Sequence, residues 1–107
     1  MPLITDTPEP PYYAVIFTSV RAGRDEGYDE MAERMYALAS EEPGFLGMES
    51  ARESVGLTVS YWKDLESIKK WKMNAEHKEA QRMGRELWYS SYKTRIALVE
   101  REYGMLR

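Results

Sequence analysis

The chain has 107 residues, 43% hydrophobic and 31% charged, which is enough for one folded domain with a single core and excludes disorder along the whole length. Fifteen basic against eighteen acidic side chains leave a net charge of −3, which excludes a nucleic-acid backbone as the main partner. The absence of cysteine removes disulfides and thiolate chemistry, and with one histidine a tetrahedral zinc site would need three carboxylates, so no metal is expected.

Met1 to Pro11 has neither the basic flank nor the apolar centre of a leader, and no apolar run approaches the roughly 18 residues of a membrane span. The sequence therefore predicts a cytoplasmic protein with no membrane partner. Residues 1–11, with Pro8, Pro10 and Pro11, read as an extended, mobile lead-in to a single domain over 12–107. Tyr12 to Val20 is rich in β-branched and aromatic residues at both parities, the pattern of a strand buried on two sides. After a polar connection, Tyr28, Met31, Ala32, Met35, Leu38 and Ala39 form a helical stripe that ends before Pro43. Phe45 to Arg52 reads as a second strand, Glu53 to Gly56 as a hairpin turn, and Leu57 to Trp62 as a third strand.

Asp64 is placed to cap a helix whose inward face is Leu65, Ile68 and Trp71. Asn74 breaks or recaps it, and Ala80, Met83, Gly84, Leu87 and Trp88 repeat the stripe. Ser90 to Tyr103 is the last strand. The order βαββαβ predicts a ferredoxin-like α+β fold, an antiparallel four-stranded sheet with helices on one face. Two helices cover only one face of such a sheet, so the two-sided first strand predicts a homodimer.

The candidate chemistry centres on His77, the one side chain suited to proton transfer near neutral pH. On an unbroken helix, at roughly 100° per residue, His77, Gln81, Gly84 and Trp88 share one flank, with Tyr61 and Trp62 ending the adjoining strand. Apolar walls with a few polar groups suit a small aromatic or hydrophobic ligand. Two readings stand for His77: a catalyst in such a cavity, or a hydrogen-bonded structural residue at the core's edge. Trp71, in helical register with Leu65 and Ile68, fits the core better than a ligand wall, and alternation on the strand lets only one of Tyr61 and Trp62 face a given pocket. The isolated glycines form no nucleotide-binding motif.

The run from Tyr61 to His77, preceded by Pro43-Gly44-Phe45 and followed by a long last strand, resembles the antibiotic-biosynthesis monooxygenase family. The resemblance spans Tyr12 to about Tyr103 and implies a dimeric α+β barrel. The family includes cofactor-independent monooxygenases of aromatic compounds, quinol-type oxygenases and haem-degrading enzymes, so it implies fold more firmly than reaction. For a cofactor-free oxygenase, His77 would be the base, with Asn74, Gln81 and Arg82 orienting the substrate anion and Tyr61, Trp62, Trp71 and Trp88 contacting its ring. In the haem-degrading branch Trp71 matches the tryptophan, but Gln81 stands where the axial histidine falls and no Asn occurs between Tyr12 and Val20. Haem is thus the alternative cofactor, and a non-catalytic binder of a hydrophobic metabolite the alternative function.

Overall fold

In the computed structural model, which describes residues 3–105, the chain forms β1 (Tyr12–Arg21), α1 (Tyr28–Ser40), β2 (Phe45–Arg52), β3 (Gly56–Trp62), α2 (Leu65–Lys72) and α3 (Ala75–Met83). A π-helical turn (Gly84–Trp88) then leads into β4 (Tyr89–Val99). Met1 and Pro2 of the predicted lead-in, and Leu106 and Arg107 at the end of the predicted domain, lie outside the described residues. The four strands make one antiparallel sheet in the order β2-β3-β1-β4, the ferredoxin-like arrangement. Among the described residues no helix is long and apolar enough to cross a membrane.

Register fixes the two faces. Tyr13 lies beside Trp62 and Leu98, and Val15 beside Ser60 and Ile96, so these residues share the helix side. There Trp62, Ile68 and Ala39 form the buried core, with Tyr13, Val15, Phe45 and Trp71 packed around it. On α1, Met31, Met35 and Leu38 are half-buried and Ala39 is buried, as the stripe predicts, but Ala32 is exposed. Leu65 is also exposed, at 52%, against the prediction; it sits in the first turn of α2, three residues past the end of β3. Asp64 caps α2 as expected, accepting from the Ser67 amide at 2.8 Å. Gly44 is buried in the turn before β2, where a Cβ would collide with the Ser67 side chain.

The helices stop short of β4. Tyr92, Ile96 and Leu98, on its helix side, are 45%, 54% and 47% exposed. On the far side of the sheet, Tyr12 and Ala14 are buried although no helix lies there. The chain's own N-terminal segment covers that end. The Thr5 amide donates to Glu49 Oε2 at 2.9 Å, and the Thr7 hydroxyl donates to Glu102 Oε1 at 2.8 Å. Tyr12 also donates to Glu102, and its ring meets Tyr61 edge-on at 5.9 Å. From Thr5 on, the lead-in is thus hydrogen-bonded to β2 and Glu102, while Leu3 and Ile4 before it are exposed. The last strand also ends at Val99 rather than Tyr103, and Glu102 in the segment after it accepts from the Tyr12 hydroxyl.

Candidate functional site

The junction between α2 and α3 positions His77. Met73 closes α2, and Asn74, in extended conformation, restarts the helix by accepting from the amides of Glu76 at 2.9 Å and His77 at 3.1 Å. Asn74 is thus an N-cap, and that role occupies the side-chain oxygen of this predicted site residue. Arg34 grips Glu76 through two parallel bonds of 2.8 and 2.9 Å, tying the first turn of α3 to α1. Asn74→Ala is expected to cost about 1 kcal/mol, the usual price of a lost cap, measurable by urea unfolding.

The reversal lays the His77 ring on Trp71, with centroids 4.5 Å apart and planes 19° apart. His77 Nδ1 lies 3.2 Å from the Trp71 carbonyl oxygen. A carbonyl can only accept, so Nδ1 carries the proton and Nε2 of the neutral ring keeps its lone pair. Nε2 has no hydrogen-bond partner among the described residues. Burial lowers the His77 pKa from its ordinary value of 6.5, the Trp71 carbonyl opposes that shift, and the Lys72 charge adds to it. The positive end of α3 likewise disfavours the imidazolium. The result is a neutral, oriented imidazole at pH 7.

Trp71 in turn stacks on Trp62 at 6.2 Å, and Trp62 meets Phe45 edge-on at 5.3 Å. The structure thus joins His77, Asn74, Trp71 and Trp62 into one unit. It does not give them the shared cavity expected with the other candidates. Trp62 is fully buried, with Nε1 bonded to Ser60 Oγ at 2.9 Å, so it supports Trp71 from the core and presents no surface to a ligand. Tyr61 lies on the opposite sheet face, donating to Glu49 Oε1 at 2.6 Å; its phenol pKa is raised by burial and by Glu49. Arg82 is on the outer helix surface, held by Glu79 and Glu86, which raise its pKa further. Gln81 is half-buried one turn beyond His77.

Trp88 departs furthest from expectation. The predicted flank assumed an unbroken α-helix, whereas the wider π-helical turn from Gly84 takes more residues per turn and changes the phase. Trp88 is instead buried against Tyr28, ring centroids 5.5 Å apart, and donates Nε1–H to the Glu26 carbonyl at 3.1 Å. Among the described residues, one shallow depression of about 500 Å³ lies between the Pro43–Gly44 turn and α2, and another of about 310 Å³ lies along β1 and β4. Neither includes His77. Among the described residues, no group of three or more acidic or histidine side chains could hold a metal ion. The feature that sequence reading missed is the Trp71 carbonyl as the partner of His77, because a backbone acceptor leaves no residue-type signal.

The model of the family described as antibiotic biosynthesis monooxygenase matches residues 11–83, from the start of the sheet to the end of α3. YqjZ of Bacillus subtilis (strain 168), an uncharacterized protein, is 52% identical over 104 residues, covering 95% of this chain and 91% of YqjZ. Among solved structures, SnoaB of Streptomyces nogalater, a cofactor-independent oxygenase, superposes with a TM-score of 0.73 at 13% identity, covering 85% of this chain and 95% of SnoaB. PA3566 of Pseudomonas aeruginosa gives a TM-score of 0.70 at 17% identity, covering 90% of this chain and 99% of PA3566. At these identities the two structures establish a common fold.

Proposed function

The chain belongs to the antibiotic biosynthesis monooxygenase family, and from that premise we propose that it is a cofactor-independent monooxygenase acting on a small phenol or hydroquinone. One observation carries this reading: His77 is neutral, its tautomer is fixed by the Trp71 carbonyl, and Nε2 is left to take a proton. The apolar surface that the helices leave open on β1 and β4, including Tyr13, Val15, Ile96 and Leu98, supplies a wall for the ring. His77 Nε2 removes the phenolic proton. The electron-rich anion then reduces oxygen and forms a carbon–oxygen bond at a ring C–H position. Loss of water gives a quinone, so one oxygen atom enters the product, the other leaves as water, and the substrate is the only reductant. The protein's part is to orient the ring and accept the proton.

Haem suits these residues poorly. Gln81 stands where the haem-degrading pattern places its axial ligand, and no Asn occurs between Tyr12 and Val20. The working form on this reading is a cytoplasmic homodimer, because Val20 and Leu57 remain 37% and 46% exposed on the sheet face that lacks helices. Light scattering at micromolar concentration is expected to give twice the 12.5 kDa chain mass. A stable monomer would remove the dimer from the account.

The test of function is oxygen uptake by the purified protein across a panel of polycyclic phenols and hydroquinones, its absorption spectrum recorded first. Uptake without an absorbing cofactor supports the oxygenase. Ligand binding without uptake assigns the domain as a binder of hydrophobic metabolites. A Soret shift on adding haemin, abolished by His77→Ala, assigns it to haem.

A further inference from the structure

A second constellation lies at the other end of the helix side, where β1 meets β4. Phe17, Ser19 and Arg21 alternate along one row of β1, with Tyr92 opposite Ser19 and Tyr89 opposite Arg21. Arg52, the last residue of β2, pairs with Gly56, which in turn pairs with Ser19. Any Cβ at position 56 would strike the Arg52 guanidinium; with glycine there, Arg52 lies across the strand and donates from Nη2 to Ser19 Oγ. Arg21 stacks over Tyr28, its Cζ 3.7 Å from the ring centroid, and pairs with the exposed Asp25. Both guanidinium groups act on the Tyr89 phenol. Burial and the Tyr28 hydroxyl raise its pKa, and the two positive charges oppose the rise.

Around them stands an aromatic wall. Phe17 lies 5.3 Å from Tyr89 and 5.5 Å from Tyr92, and Tyr28 lies 6.0 Å from Tyr89. The π-helical turn brings Tyr89 here, and such turns are frequent at functional sites. Arg21 has a counter-charge in Asp25, but no carboxylate pairs with Arg52 among the described residues. Among the described residues, Arg21 Nε and Arg52 Nη1 are buried without a hydrogen-bond partner, and Arg52 finds only the neutral Ser19 hydroxyl. Desolvated guanidinium nitrogens are costly unless an anion meets them. Tyr92 is 45% exposed, so the wall is open on the β4 side.

We propose that this cluster is a binding site for a small aromatic carboxylate, with Arg52 and Arg21 holding the carboxylate and Phe17, Tyr89 and Tyr92 holding the ring. A carboxylate matches the planar donor fork of arginine, and the ring matches the aromatic faces beside it. The site goes beyond the oxygenase reading and does not depend on it. His77 and Tyr89 stand at opposite ends of the α3 and π-helical segment, roughly 15 Å apart along its axis.

The test is calorimetric titration of the full-length protein with 2-naphthoate and with 2-naphthamide, which keeps the ring and shape but not the charge. Naphthoate is expected to bind at least about tenfold more tightly than the amide, and Arg52→Gln to weaken naphthoate by about tenfold or more without changing the amide. Gly56→Ala, which keeps the charge but pushes the guanidinium aside, is expected to weaken naphthoate as well and decides the matter if Arg52→Gln fails to fold. His77→Ala should leave naphthoate binding unchanged, so failure here is distinct from failure of the oxygenase reading. Equal affinity for acid and amide, no binding of naphthoate, or undiminished affinity in folded Arg52→Gln and Gly56→Ala would overturn the proposal.

Discussion

His77→Ala is expected to lower oxygen uptake by about 100-fold, the lower end of what removal of a general base costs. The lower end applies because the oriented apolar wall survives the substitution and the phenol still ionises slowly in water. The pH dependence carries the sharper signature. Burial depresses the His77 pKa, so the base is already free at pH 7, and kcat/KM of the wild type should fall only as pH drops through a value below 6.5. The alanine variant should lose this acid limb. Stability follows the same sign. A histidine with a lowered folded pKa favours folding fully above its unfolded value of 6.5, and that contribution is lost as pH falls through the folded value. Wild type should therefore destabilise between these two values more than His77→Ala does, in parallel urea titrations. A wild-type profile flat through this window would show that His77 does not titrate in the reaction.

Trp62→Ala costs about 3–5 kcal/mol, as expected for emptying a fully buried indole site. The residue sits between Phe45 and Trp71, so its loss leaves a cavity directly beneath the platform on which His77 rests. Domains of this size have only about 5–15 kcal/mol in total, and the variant should lie close to unfolding at room temperature. Chemical denaturation with circular dichroism reads the loss. A cost below about 1 kcal/mol would mean that Trp62 is not the centre of the core.

Elements bounded by local chemistry were legible in the sequence. β2 begins and ends where Pro43-Gly44 and the hairpin set it, and Asp64 and Asn74 cap the helices they were predicted to start. What escaped depends on contacts between distant residues. Thr5 finds Glu49, Thr7 finds Glu102, and Arg52 reaches Ser19 across a glycine, and none of these pairs has a periodic pattern to betray it. The candidate site was half legible for the same reason. Strand, cap and helix order brought His77 back towards the aromatic core, and Trp71 packs on that core as its register predicted, but the stacking of the histidine ring on its other side had no sequence signal. The π-helical turn then removed Trp88 from the predicted flank, because a change of helical pitch leaves the apolar stripe intact while altering its direction.

The most direct measurement is an oxygen-electrode comparison of wild type and His77→Ala after exhaustive dialysis against chelator, with a phenol or hydroquinone from the panel and product quantified in parallel. Wild type should consume oxygen with no flavin, haem or metal added, one molecule of oxygen for each phenol converted to quinone, at about 100 times the rate of the variant. No uptake by the wild type across the panel, or equal uptake by the two proteins, would contradict the assignment of His77 as the base of a cofactor-independent oxygenase.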